Sequence, residues 1–282
     1  MLLLKNKKVA FLGAGSMAES MIAGIVKSGK ICPEHVFVTN KSNGARLQRL
    51  ENKYGINGVL QAEVPYDEID LFILAMKPNG ASEALEALKD KITPYQVVVS
   101  VLAGISTGFM EENLKDRQQV VRVMPNTSSM IKESATAMSP GKNTTKANMD
   151  DVKELLSCMG KVFLIEEAQM DIFTGLAGSG PAYFYYLMEH MEQVGTENGM
   201  EEKMVREIIA QTILGAAKMI MEKDENPAVL RKNVTSPNGT TASGLNALRK
   251  YNGGQAITQA VNHAAKRSRE MNRELEGILV SS

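Results

Sequence analysis

Two textures divide the chain. From Val9 onward, short runs that are apolar at every position alternate with stretches whose apolar residues recur at helical spacing. Val9-Ala10-Phe11-Leu12 is a strand pattern ending at Gly13, and Ser16 to Ser28 predicts a helix carrying Met17, Met21, Ile22, Ile25 and Val26 on one face. Val36-Phe37-Val38-Thr39 predicts a second strand and Gly44 to Tyr54 a second helix. A third strand, Leu71 to Ala75, stops at Lys77-Pro78; Ser82 to Leu88 is helical, and Val97 to Val101 and Val120 to Met124 are two more strands. Apolar runs without alternation suit strands covered on both faces, as in a parallel sheet. Strand-helix-strand repetition of this kind predicts a doubly wound, Rossmann-type α/β domain. Short strands at Ser134–Met138 and Lys161–Ile165, around a helix at Met149–Met159, complete it.

After about Glu167 no β-branched run of strand length remains. Pro181 to Gly195, Glu201 to Glu222 and Pro227 to Lys232 predict helices. A Gly/Pro/Thr/Ser-rich stretch, Thr235 to Gly244, reads as an interruption before a helix from about Leu245 and a last one from Gln255 to Leu275. The expected organisation is therefore an α/β domain over residues 1–165 and an all-α domain over 166–282.

Composition narrows the function classes. Two domains are the natural expectation for 282 residues with 44% hydrophobic and 23% charged positions. Lys plus Arg is 32 and Asp plus Glu is 32, so the chain has no bulk electrostatic reason to bind nucleic acid or an anionic membrane. The opening Met1-Leu2-Leu3-Leu4 is too short for a signal peptide, and no segment has the length of a membrane span. Cys32 and Cys158 lack metal-ligand spacing and read as reduced, small apolar residues. The three histidines, at 35, 190 and 263, form no ligand cluster, so no metal is expected. A cytoplasmic protein is the expectation.

Gly13-Ala14-Gly15-Ser16-Met17-Ala18 is a G-x-G-x-x-A run between a strand and a helix. Gly13 permits the tight turn, Gly15 lets a pyrophosphate reach the backbone, and Ala18 lets helix and strand pack closely; the phosphates would sit on free N–H groups at Ser16 and Met17. The end of the second strand carries Asn40, Lys41 and Ser42 where an NAD-type site wants a carboxylate. A cation there attracts a 2′-phosphate, which favours NADPH over NADH. Ala75-Met76-Lys77-Pro78, Ala103-Gly104 and Asn126 follow strands on the carboxyl edge and are expected to converge on the same crevice. In the helical half, Gly178 to Tyr183 opens a helix, and Ser236 to Gly244 is a small-residue loop whose N–H groups suit a carboxylate.

Taken together, Phe11 to Ala18, Ala75 to Pro78, Met124 to Asn126, Gly178 to Tyr183 and Val234 to Thr241 resemble the motifs of the pyrroline-5-carboxylate reductases, in order and spacing across essentially the whole chain. The resemblance implies an NADPH-preferring reductase of a cyclic imine, giving L-proline, with NADH a weaker donor. It also implies a homodimer through the C-terminal helices, often assembled further. Carried over, the N–H groups of Gly239, Thr240 and Thr241 hold the substrate carboxylate beside Val234, and the Thr241 hydroxyl meets the ring nitrogen as the catalytic group. Asn238 stands where the family usually has Gly, and Ala62 where many members have Asn. Asp224 reads as a surface acid. Two other readings remain open: another NADP-linked imine or hydroxyacid dehydrogenase, for which Lys203 and Lys218 are the mid-helix candidates, or a catalytically silent nucleotide-binding paralogue.

Overall fold

The computed structural model describes residues 4–281; Met1, Leu2, Leu3 and Ser282 lie outside it, so of the opening apolar run only Leu4 is described, and it is buried. Eight strands form one sheet: β1 (Val9–Leu12), β2 (Val36–Thr39), β3 (Asn57–Val59), β4 (Leu71–Leu74), β5 (Val97–Ser100), β6 (Gln119–Met124), β7 (Ser134–Pro140) and β8 (Gly160–Leu164). Their spatial order is β3-β2-β1-β4-β5-β6-β7-β8. Every pairing is parallel except β6 with β7. β1 lies between β2 and β4, which makes the junction of β1 and β4 the point where strand order reverses.

The apolar runs are continuous because both faces are covered. Val9 and Phe11 join one core with Ile73, Val99 and Val121, beneath α1 (Ser16–Ser28), α2 (Gly44–Tyr54) and α5 (Lys146–Leu156). Ala10, Leu12, Phe72, Leu74 and Val98 join a second core, beneath α3 (Ala81–Lys89) and α4 (Thr107–Asn113). Helix α1 buries Met21, Ile22 and Ile25 at the expected spacing and ends at Gly29 in the left-handed region. Cys32 and Cys158 are free thiols, and burial pushes Cys158 up to about 11.

β3 and α4 have no expectation behind them. β3 is a three-residue edge strand containing glycine, and α4 is a seven-residue helix capped by Ser106. Beyond β8 come α6 (Met170–Phe173), a π-helical turn over Thr174–Gly178, and then α7 (Gly180–Glu197), α8 (Glu202–Lys223), α9 (Pro227–Asn233), α10 (Thr240–Lys250) and α11 (Gly253–Ser281). α10 starts at Thr240 rather than near Leu245, because Gly239 caps it and the small polar residues that read as loop supply its first turn. Two compact units result: residues 4–178 together with 264–281, and Ser179–His263. The compact units divide after Gly178, and the last part of α11 belongs with the sheet.

Among the described residues no helix is long and apolar enough to cross a membrane, and no group of three His, Cys, Asp or Glu side chains could hold a metal. Asp224, exposed, closes α8 in the left-handed region at φ 48°, and Lys203 and Lys218 are exposed on that helix.

Candidate active site

A cleft of about 780 Å³ opens at the carboxyl ends of β1, β2 and β4, within the range of about 300–1,000 Å³ usual for ligand sites. Its floor is the turn after β1. Gly13 has φ +114°, and a Cβ there would lie 2.6 Å from the backbone of Ala75 and Met76. Gly15 differs: its φ is −73°, and a Cβ would meet only the Ala75 carbonyl, at 3.7 Å. The protein itself therefore demands glycine at 13 and not at 15, where the space faces the cleft. Gly15 caps α1 without a side chain, and the N–H groups of Gly15, Ser16 and Met17 find no acceptor among the described residues. The Thr39 hydroxyl, also in the lining, is buried without a hydrogen-bond partner. Free N–H groups at a helix start, a glycine that leaves room and an orphaned hydroxyl together fit a dinucleotide pyrophosphate and its neighbouring ribose.

Two residues with no local signal in the sequence complete this end. Arg46, on α2, donates from Nε to the Ala14 carbonyl at 2.9 Å and from Nη2 to Glu19 at 2.6 Å. Glu19 also accepts from Lys53 Nζ and from the Tyr54 hydroxyl. These donors, Lys53 and Arg46 foremost, pull the Glu19 carboxyl from 4.5 down to about 2. Lys41 in turn places Nζ 2.8 Å from both carboxylate oxygens of Glu83, so the cation at the end of β2 has an acidic neighbour after all. Asn40 accepts from the N–H groups of Ser42 and Asn43, which shapes the turn into α2.

Of the residues singled out from sequence, Gly13, Gly15, Ser16 and Met17 after β1, Asn40, Lys41 and Ser42 after β2, and Ala75, Met76 and Lys77 after β4 line this cleft. Pro78 does not; it opens the 3-10 turn before α3. Ala103 and Gly104 line a separate pocket of about 130 Å³ with Arg122, Thr174, Ser268 and Asn272. Gly104 packs against α11, where a Cβ would come within 2.5 Å of Leu275. Asn126 caps a 3-10 turn and donates to the Ala177 carbonyl at 3.0 Å. The loops at Ala103-Gly104 and at Asn126 therefore lie outside the lining that the loops after β1, β2 and β4 share.

In the second unit, Val234 is exposed at the end of α9. Gly239 donates its own N–H to the Ser236 carbonyl, at 3.1 Å. The free donors of this turn are therefore the N–H groups of Thr240 and Thr241, in the first turn of α10, where the N-cap Gly239 has no side chain to accept from them. Thr241 is exposed, and its hydroxyl makes no hydrogen bond among the described residues, which leaves it no capping role.

Two family models match the chain. One, described as pyrroline-5-carboxylate reductase dimerisation, covers residues 167–271; the other, described as NADP oxidoreductase coenzyme F420-dependent, covers residues 8–104. Pyrroline-5-carboxylate reductase 1 of Bacillus subtilis is 57% identical over 271 residues, covering 96% of this chain and 91% of that protein. The chain belongs to the pyrroline-5-carboxylate reductase family. Its fold matches the crystal structure of Plasmodium falciparum pyrroline carboxylate reductase with NADP bound, at 28% identity and a TM-score of 0.84 over 95% of this chain and 99% of that one. It also matches the structure of a pyrroline-5-carboxylate reductase from Coxiella burnetii, at 29% identity and a TM-score of 0.88 over 94% and 98%.

Both departures from the family pattern have a structural account. Asn238 adopts φ 58°, a left-handed conformation that Asn tolerates better than other side chains, so it can stand in for glycine. Ala62 is exposed outside the cleft, whose lining at this turn is Gln61.

The two glycines of the turn should respond differently. Gly13→Ala forces a side chain into backbone and should cost about 2–5 kcal/mol, seen as a melting temperature lower by roughly 5–15 °C. Gly15→Ala should melt within about 3 °C of the native protein, yet lose more than about 10-fold in nucleotide affinity. Equal effects of the two on stability would contradict the assignment of Gly15 to ligand.

Glu19 gives a pH signature. Its folded value lies below its unfolded one, so the bracing network contributes fully above about pH 4.5 and is lost as pH falls towards 2. Glu19→Gln should therefore be less stable than the native protein at neutral pH, with the gap narrowing below about pH 4.5. Thermal melts from neutral pH to about pH 3 check this; a constant gap would show that the Glu19 charge contributes nothing.

Proposed function

We propose that this protein reduces 1-pyrroline-5-carboxylate to L-proline with NADPH, the last step of proline biosynthesis, and accepts NADH less well. The observation that carries the reading is a dinucleotide cradle at the strand-order reversal of a chain 57% identical, over 96% of its length, to a pyrroline-5-carboxylate reductase. When bound, NADPH supplies the hydride that the imine carbon, on the far side of the ring nitrogen from the carboxylate-bearing carbon, receives. The N–H groups of Thr240 and Thr241 hold the substrate carboxylate at the start of α10, where the helix dipole favours an anion. Gly239, whose ideal Cβ would lie 2.3 Å from Ser236 Oγ, keeps that turn tight, and Val234 packs beside the ring. The Thr241 hydroxyl meets the ring nitrogen. As hydride arrives at carbon, the C=N electron pair moves onto a nitrogen that already carries its proton, and the product is the secondary amine. A cyclic imine protonated by water needs no strong acid from the protein, which is consistent with a substrate loop built of Gly, Thr and Val.

The second unit supports a homodimer. Along its 22 residues α8 buries only Val205 and Ile209 and leaves Met204, Ile208, Leu214, Met219, Ile220 and Met221 exposed. That is far more apolar surface than a free helix pair carries in water, and a second copy of the same helices is the partner that would cover it. Residues 167–271 match the dimerisation model of the family, and further assembly of dimers is compatible with the same surface. A cytoplasmic site of action, with neither nucleic acid nor membrane as partner, accords with 32 basic and 32 acidic residues.

Purified protein, NADPH and the cyclic imine test the reading, with NADPH absorbance as the readout; absence of consumption would sink it. Thr241→Ala should lose roughly 10- to 150-fold in kcat/KM, the worth of about 1.5–3 kcal/mol for a hydrogen bond to a charged group. Thr241→Ser should lose much less, and both should keep the native melting temperature. Full efficiency in a well-folded Thr241→Ala protein would remove the hydroxyl from the reaction.

The assembly has its own test. Replacing Ile208 and Leu214 together by Asp removes four apolar side chains from each dimer, at about 1.5–3 kcal/mol apiece. Sedimentation should show the dimer weakened by at least about 1,000-fold. A double variant that remains dimeric at the native concentration would place the interface elsewhere.

A further inference from the structure

We propose that Glu83 is a specificity-determining residue of the dinucleotide cleft: by holding Lys41, it reduces the advantage of a 2′-phosphorylated cofactor over an unphosphorylated one. The proposal rests on the dinucleotide reading above and assigns a role to a residue that the reading leaves unexplained.

Lys41 is the residue that the end of β2 offers to a 2′-phosphate, and its Nζ already sits 2.8 Å from each carboxylate oxygen of Glu83. Both side chains belong to the lining of the same cleft. Glu83 comes from α3, which follows β4, and β1 lies between β2 and β4 in the sheet, so the pair bridges the mouth of the cleft. The Lys41 and Glu83 side chains are 78% and 70% exposed, so the pair is held by charge rather than by packing and can exchange partners. The neighbouring cation is not available in the same way. Arg46 is 17% exposed and committed to the Ala14 carbonyl and to Glu19.

An incoming 2′-phosphate must therefore draw Lys41 away from a carboxylate before it gains the contact. A ribose with a free 2′-hydroxyl asks nothing of the pair. The ion pair thus taxes one cofactor and spares the other, which is how a single acidic side chain on α3 sets a preference that the end of β2 alone would make stronger.

The test uses full-length protein and two nucleotide fragments, adenosine 2′,5′-bisphosphate and adenosine 5′-monophosphate, with dissociation constants measured by calorimetry. Glu83→Gln frees Lys41 and should raise the preference for the bisphosphate by about 1.4- to 5-fold, the range of exposed ion pairs. The gain should shrink as salt is added. In the Lys41→Gln background the same Glu83→Gln change should have a clearly smaller effect. An unchanged or lowered preference in Glu83→Gln, with both fragments bound, overturns the proposal alone. An equally large gain without Lys41 also overturns it, because Glu83 would then act on the phosphate directly. Failure of the native protein to bind either fragment overturns the dinucleotide reading and the proposal with it.

Discussion

The cleft depends on one close approach of backbone to backbone. At the reversal of strand order, the turn after β1 lies so near the end of β4 that a Cβ on Gly13 would overlap Ala75 and Met76. The Ala75 N–H donates to the Leu12 carbonyl at 2.9 Å, and the Gly13 N–H donates to the Thr39 carbonyl at 3.0 Å, so the turn is pinned from both neighbouring strands. Strands β1 and β4 are in register from Val9 with Leu71 to Leu12 with Leu74, all buried. A turn fixed in this way aims the first N–H groups of α1 at one point in space before any ligand arrives. Ordering them on binding would otherwise cost conformational entropy. The same constraint explains why the two glycines of the turn serve different masters: one satisfies the fold, the other leaves space for a ligand.

What the sequence made legible follows from how local each signal is. A strand covered on both faces is apolar at every position, and β1, β2, β4 and β5 announce themselves within four residues. β3 escapes notice because Asn57-Gly58-Val59 has no such run and is held by pairing to β2, an interaction between segments distant in sequence. The start of α10 is misread for the opposite reason. Thr240 to Gly244 has loop composition, and only the extended backbone of Gly239 places the helix start there. The G-x-G-x-x-A turn is legible because its chemistry is contained in six neighbours. Arg46, Gln61 and Glu83 are not, because each reaches the cleft from a different element, and Arg46 and Glu83 owe their roles to partners tens of residues away. The later loops at Ala103, Gly104 and Asn126 follow strands on the same edge of the sheet but lie outside the lining of this cleft.

Charge in the cleft is arranged so that no cation waits alone at the end of β2. Lys41 rests on Glu83, and Arg46 on Glu19 and a carbonyl. The two pairs differ in exposure, and exposure decides what each can do. The Arg46–Glu19 pair is mostly shielded and supported by Lys53 and Tyr54, so breaking it leaves a partly buried charge unpaired; it behaves as scaffold. The Lys41–Glu83 pair is open to water, so exchanging one anion for another costs little. Two ion pairs of similar geometry therefore divide the labour between rigidity and selectivity.

The second unit meets a different constraint. Helices α7 to α10 bury few of their own apolar side chains, and the aromatic run Phe184, Tyr185 and Tyr186 on α7 is more than half exposed. Such a unit cannot draw its stability from an internal core, because apolar area left in water contributes nothing to folding. If a second copy covers that surface, folding and association of the helical unit become one equilibrium, and stability depends on protomer concentration. The proposed substrate loop, from Val234 to Thr241, is carried by this unit and not by the one that holds the cradle. The turn at Thr240 would then keep its geometry only while the helices around it are covered. An enzyme organised like this loses substrate recognition before it loses nucleotide binding on dilution, because the cradle rests on a sheet with two complete cores of its own.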